Sequence, residues 1–289
     1  MAPVMKKRAH HLGNRETRGP RRPPSADPQF RRRDLQEGPA HAERSDIIFG
    51  LLPVIEALRA NSRRIDRISV AEGSREKRLD EMYDLARSSG IRVDRVSRDA
   101  IEKLTGPAVN HQGVVAIASA ADYVSVDEIL DKNKNEPTLL VVLDGVEDPR
   151  NLGAVLRSVE CAGANGVIIP ERRAVGLTDT VAKSSAGAVE HVKVSKVANL
   201  NWLIEDLKER NIWVVGTSGD APTNYTDWDW RQPSALILGA EGSGLHRLVA
   251  ENCDILVKIP MYGKIDSLNV SVAAGIILFE ARRQRSVTE

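Results

Sequence analysis

The chain has 289 residues, 42% of them apolar and 28% charged, which is enough for two folded domains with real cores. No stretch nears the ~20 apolar residues of a membrane span, and the basic, polar N-terminus lacks a signal-peptide core, which points to a cytoplasmic protein. The net charge of +1 is unevenly placed: residues 1–45 hold eleven Lys/Arg against five Asp/Glu, giving +6, and the remainder nets −5.

Taken in chain order, residues 1–45 are rich in Arg, Pro and Gly with no apolar period, and are expected to be a disordered basic extension. Such an arm can add salt-dependent affinity for phosphates without reading sequence. From Ile47 the pattern changes. Ile47–Phe49 reads as a strand, and Pro53 sits near the first turn of a helix through Ala60. A strand over Ile65–Val70, a helix over Lys77–Ser89, an alternating half-buried strand over Ile91–Val96, a short helix from Arg98 to Thr105 and a strand from Gly113 to Ala118 follow. Residues 46–120 therefore form a small α/β domain, and Asn110-His111-Gln112 reads as a closing turn or an RNA contact. Residues 121–138, with an Asp/Lys/Asn run, read as a linker.

Residues 139–289 alternate regularly. Strands are expected near 139–144, 166–169, 191–194, 212–217, 234–238 and 255–259, with helices near 151–162, 178–186, 199–210, 245–251 and 269–284. This alternation predicts a mostly parallel sheet covered on both faces, with ligands at the loops after its strands. Cys161 and Cys253 have no metal or redox spacing and are expected to be buried thiols. The six histidines are scattered, so no metal site is expected.

Three segments carry chemistry. In Leu140–Ala162 an apolar strand ends at Asp144, and Asn151 is expected to open and cap a helix that carries Arg157. Six residues put those two side chains about 120° apart, although a long arginine leans back toward the helix mouth. Ala235–Leu245 is a buried strand running into a glycine loop with one carboxylate, Glu241. Its GxxGxG order is not the dinucleotide fingerprint, and the Walker lysine is missing, which disfavours an oxidoreductase or P-loop reading. Ile259–Gly275 is a strand, a loop and a helix entered at Ser267-Leu268-Asn269, where both polar residues suit a cap or a ligand.

Together these segments resemble the SpoU/TrmH family of S-adenosylmethionine-dependent RNA 2′-O-ribose methyltransferases. The match is N-x-G-x-x-x-R at Asn151–Arg157, L-G-x-E-G-x-G at Leu238–Gly244, and I-P-M…S-L-N-V-S-V-A at Ile259–Ala273. A looser likeness upstream, through Ile48-Phe49-Gly50 and Asn110–Gly113, extends to RlmB-like members that modify large-subunit ribosomal RNA. The resemblance implies a trefoil-knotted (SPOUT) α/β domain with a mostly parallel sheet, preceded by a small ribosomal-protein-like (L30e-like) α/β domain that binds RNA. Pattern reasoning alone would assign an unknotted sheet. The resemblance also implies a homodimer joined through the C-terminal helix and a guanosine of 23S ribosomal RNA as substrate. Transfer RNA is the alternative substrate, and a non-catalytic ribosome-assembly protein is the rival from another class.

By the same resemblance Gly239, Ile259, Met261 and Leu268 line the S-adenosylmethionine pocket, and Lys183–Val189 packs closely near the substrate. Arg157 matches the essential arginine proposed as the base. Neutralising an arginine near pH 7 costs at least ~7 kcal/mol, because its pKa exceeds ~12. Arg157 is therefore read as a phosphate clamp and stabiliser of the developing alkoxide, with a base role open if a bound phosphate carries the proton. Asn151 would orient Arg157 or the nucleotide, Glu241 would pair with Arg157 or hold the loop, and Ser267 and Asn269 would bind the ribose-phosphate.

Overall fold

The structure is a computed structural model and describes residues 45–74, 78–106, 110–131 and 136–286. The expected disordered extension falls, up to residue 44, outside the described residues. The first sheet is built from β1 (Ser45–Phe49), β2 (Ile65–Ala71), β3 (Arg92–Val96) and β4 (Val114–Ser119), in the order β1-β4-β2-β3. Strands β2 and β3 are parallel, while β4 runs antiparallel to both of its neighbours. Helices α1 (Leu51–Ala60) and α2 (Leu79–Ser88) bury Val54, Ile55 and Met82 against Ile48, Ile68 and Val114. Helix α3 (Arg98–Thr105), capped by Ser97, buries Ile101 on the other face against Phe49 and Val115.

The stretch expected to be a linker contains structure. Ser125 and Glu128 form a capping box for α4 (Val126–Leu130), and Val126 and Ile129 are fully buried on the second sheet. A five-residue helix with two inward residues leaves too little periodicity to stand out beside a polar run.

The second sheet has the order β7-β6-β5-β10-β8-β11-β9, and every neighbouring pair in it is parallel. Its strands are β5 (Leu139–Asp144), β6 (Gly166–Pro170), β7 (Lys193–Val197), β8 (Trp213–Thr217), β9 (Thr223–Asn224), β10 (Ser234–Gly239) and β11 (Ile255–Lys258). All six residues of β5 are buried, as a central parallel strand covered on both faces requires. Leu139, Val141 and Leu143 face α5 (Pro149–Cys161), α6 (Asp179–Ser184) and α9 (Val270–Ser286). Leu140 and Val142 face α4, α7 (Leu200–Glu209) and α8 (Arg247–Asn252). The cysteine expectation fails at Cys161, which is exposed because the last residue of α5 points outward. Cys253 is half-buried, donates its thiol to the Val249 carbonyl, and is pushed up to about 12 by desolvation.

Helix α9 docks through Ala274, Ile277, Leu278 and Ala281. Arg285 fastens its end by donating to the carbonyls of Trp230 (2.8 Å) and Thr138 (3.1 Å). Burial pushes that guanidinium down to about 10. The two sheets meet through residues 179–191. The Asp179 carboxylate accepts from the Ile47 amide (3.3 Å), and Glu190 accepts from Ser62 Oγ (2.8 Å) and Arg63 Nε (3.1 Å). The Arg63 and Glu190 side chains are only 3% and 2% exposed.

Candidate active site

Chain order makes a crevice at the end of the second sheet. After β5 the chain crosses to α5 on one face, and after the adjacent β10 it crosses to α8 on the other. Neighbouring strands whose connections leave in opposite directions open a cleft at their carboxyl ends. Asp144 and Gly239, the last residues of these strands, are paired in register at its base.

Asn151 does not cap α5. Asp148 is the cap, accepting from the Arg150 amide (2.8 Å), and Pro149 occupies the first turn. An Asp-Pro step is the sequence signal for this arrangement, since proline has no amide to leave unpaired at that position. Asn151 therefore lies inside the first turn, 9% exposed, with its side chain directed across the crevice. Its Nδ2 donates to Glu241 Oε1 (3.1 Å), and its Oδ1 accepts from Asn269 Nδ2 (2.9 Å). Asn269 Nδ2 also donates to Glu241, while Asn269 Oδ1 accepts from the Ser271 amide (2.9 Å) and so caps α9. Three segments far apart in sequence thus converge on one carboxylate.

Two glycines make this closure possible. A Cβ on Gly153 would lie 2.8 Å from both the Ser184 Cβ and the Ser185 amide nitrogen, so α5 and α6 could not pack as closely. A Cβ on Gly239 would fall 2.1 Å from the Gly244 carbonyl carbon, where the loop folds back through paired Ala240 and Gly244 backbones. The Lys183–Val189 stretch thus packs against the glycine of the first motif.

Arg157 and Ser267 do not join the network. Arg157 is exposed on α5, and Glu241 bonds to the two asparagines instead of pairing with it. Amides at hydrogen-bond range fill the carboxylate's near side, whereas Arg157 lies six residues further along the helix. Ser267 lies in the exposed run 261–269. Of the expected cofactor residues, Ile259 is partly buried against the core, and Met261 and Leu268 are 38% and 39% exposed. Apolar side chains open to solvent beside a glycine loop suit a ligand that is part heteroaromatic and part polar, as S-adenosylmethionine is. In the turn Asn110-His111-Gln112 only the middle residue faces inward: His111 is 3% exposed and its Nδ1 accepts from the Gly113 amide (3.0 Å). Gln112 Oε1 caps α1 at the Leu51 amide (3.3 Å), and Lys183 Nζ donates to the Asn110 carbonyl across the joint.

The sequence profile described as the SpoU rRNA Methylase family matches residues 138–279. A second profile, RNA 2′-O ribose methyltransferase substrate binding, matches residues 47–124. The 23S rRNA (guanosine-2′-O-)-methyltransferase RlmB of Ralstonia nicotianae is 44% identical over 245 residues, covering 84% of this chain and 98% of that protein. The chain belongs to the SpoU methyltransferase family. YacO of Bacillus subtilis, named for the TrmH family of tRNA/rRNA methyltransferases, is 42% identical over 85% of this chain and 98% of its own length. The SpoU methyltransferase AviRb of Streptomyces viridochromogenes, solved with AdoMet, superposes with a TM-score of 0.70 at 27% identity, covering 84% of this chain and 91% of that one. As a SpoU enzyme the chain is an RNA 2′-O-methyltransferase, and its parallel sheet with a preceding substrate-binding unit is the family's architecture. Among the described residues, no group of His, Cys, Asp and Glu could hold a metal ion, and no helix is long and apolar enough to cross a membrane.

Proposed function

We propose that this protein methylates the ribose 2′-hydroxyl of a guanosine in 23S ribosomal RNA, acting as a cytoplasmic homodimer. The observation that carries the reading is the convergence of Asn151, Glu241 and Asn269 at the switch point of a chain that matches RlmB along 98% of that protein's length. A transfer-RNA substrate is the second reading, favoured by the tRNA/rRNA naming of YacO.

S-adenosylmethionine supplies an electrophilic methyl group on a sulfonium. Gly239, Ile259, Met261 and Leu268 would hold it, with backbone groups of the glycine loop serving its polar ends. The family's trefoil knot over residues 239–269 belongs to this proposal. Asn151, Glu241 and Asn269 brace the two loops that form the pocket, and Ser267 offers a hydroxyl to the target ribose-phosphate. Arg157 clamps a phosphate and stabilises the alkoxide as the 2′-proton leaves.

Dimerisation is supported by apolar surface beside the site. Tyr262 is 97% and Ile265 75% exposed, and Val272 and Phe279 stand out of α9. A second copy would cover this surface and complete the wall around Arg157. Phe279→Asp is expected to shift sedimentation from dimer to monomer, and an unchanged dimer would move the interface elsewhere.

Incubation with labelled S-adenosylmethionine and unmodified ribosomal and transfer RNA, followed by mapping, tests the substrate. Label confined to transfer RNA would replace the ribosomal reading. Arg157→Ala is expected to lower turnover about 10²–10³-fold, the usual cost of removing one transition-state donor, while cofactor affinity survives. Retained turnover would take Arg157 out of the chemistry.

A further inference from the structure

The loop that carries Glu241 has a second side. Between it and the ends of β6 and β7 lies a cleft of about 470 Å³, walled by Arg172 and Arg173 on one side and His246 and Arg247 on the other. Asn199 and Asn201, at the start of α7, line it as well. The volume accepts a nucleotide-sized group.

Its charge is one-sided. Arg172, Arg173 and Arg247 line the cleft, and among the described residues Asp144 is the only carboxylate that does. Asp144 is already engaged: its Oδ2 accepts from the His246 amide (2.7 Å), and its Oδ1 meets His246 Nδ1 (2.8 Å). That pairing fixes the half-exposed imidazole and leaves Nε2 for a ligand. Arg247 pairs with Glu251 one turn along, but both side chains are more than half exposed, so the pair is weak and easily exchanged. Arg173 holds a φ of +57°, a left-handed conformation uncommon outside glycine, in the loop that brings two consecutive guanidinium groups to the cleft. The amides at the start of α7 are not the recognition element, because the Asn199 side chain already accepts from those of Asn201 and Trp202.

We propose that this cleft is a second RNA subsite, in which Arg172, Arg173 and Arg247 grip a phosphodiester of the strand flanking the target nucleotide. Guanidinium forks match phosphate oxygens in pairs, and the cleft lies at the carboxyl edge of the same parallel sheet as the Asn151–Glu241–Asn269 network, with Asp144 at the end of β5 common to both. Gly145 links the two sites, since a Cβ there would lie 3.4 Å from both the Ala240 Cβ and His246 Cε1. A strand held in the cleft would therefore lie against the loop that presents Glu241. The inference rests on the proposed RNA substrate and adds a place for its backbone.

The test compares the full-length wild type with Arg172→Ala/Arg173→Ala and the matching double lysine variant, on an RNA oligonucleotide spanning the mapped nucleotide. The alanine pair is expected to raise KM for RNA about tenfold with kcat within about twofold, and to reduce the slope of log affinity against log salt by about one to two. The lysine pair should restore the salt slope more fully than KM, since lysine keeps the charge and loses the fork. Thermal melting and S-adenosylmethionine affinity should match wild type, because both arginines are exposed. Unchanged KM and salt slope in the alanine pair would overturn the proposal. So would saturable binding of inorganic phosphate or guanosine monophosphate that the alanine pair abolishes while RNA binding is untouched, which would make this a free-anion site. A wild type that binds RNA with the arginine-dependent salt slope but transfers no methyl group would refute the proposed activity and leave the subsite standing.

Discussion

Glu190 and Glu241 each gather donors from distant parts of the chain, but their surroundings differ. Glu190 is sealed between the two sheets, with the Arg63 guanidinium and the Ser62 hydroxyl on its oxygens. Glu241 stands at an exposed loop and is held by the neutral amides of Asn151 and Asn269. A carboxylate out of water needs a counter-charge and hydrogen bonds, whereas one at a wet rim can be steered by neutral amides alone. The buried carboxylate holds the two sheets together. The exposed one stands at the crevice, where a ligand can meet it.

Glu190→Ala should produce the largest stability loss, because it removes the carboxylate that two donors share in a buried joint. The expected cost is about 3–5 kcal/mol, read by chemical denaturation. A loss below about 1 kcal/mol would mean that water reaches the joint and that the contrast is false. Asn269→Ala comes next. It removes the α9 cap, worth about 1 kcal/mol, together with two bonds of the network. Methyl transfer should fall much further than stability does, and a parallel decline in both would make Asn269 a cap and nothing more.

The smallest effect sharpens the comparison with a third buried group. Burial, with help from the nearby Arg98 and against the opposing pull of Glu102, holds the pKa of His111 below the ordinary imidazole value. The folded ring therefore stays neutral at a pH where the unfolded ring is protonated. Its contribution is complete above about pH 6.5 and is lost as pH falls through the lowered folded value. His111→Asn, which keeps an acceptor for the Gly113 amide, should flatten the decline in melting temperature below pH 6.5. An unchanged acid limb would assign that decline to other groups.

Strands and helices of the parallel sheet were legible because fully apolar runs such as Leu139–Leu143 and spaced motifs are local properties of the chain. The same holds for Asn151, Glu241 and Asn269 as members of one site, which their motifs singled out. Residue roles were less legible. Asn151 looks like a cap until Asp148 and Pro149 take that place, and Arg157 looks like a partner for Glu241 until two amides occupy it. Helix α4 was hidden by its brevity, and Cys161 by lying on the solvent side of the last turn of its helix.

By itself, the sequence determined the alternation of elements, the family and the short list of polar residues near the crevice. Each of these depends on patterns within some twenty neighbouring residues. Only the tertiary structure decided which donors reach Glu241, that Arg63 and Glu190 join the two sheets, and that Arg172, Arg173 and Arg247 share one cleft with His246. Those facts arise from strand order, which sets Leu139 beside Ser234 from the far end of the domain, a pairing that no local pattern announces.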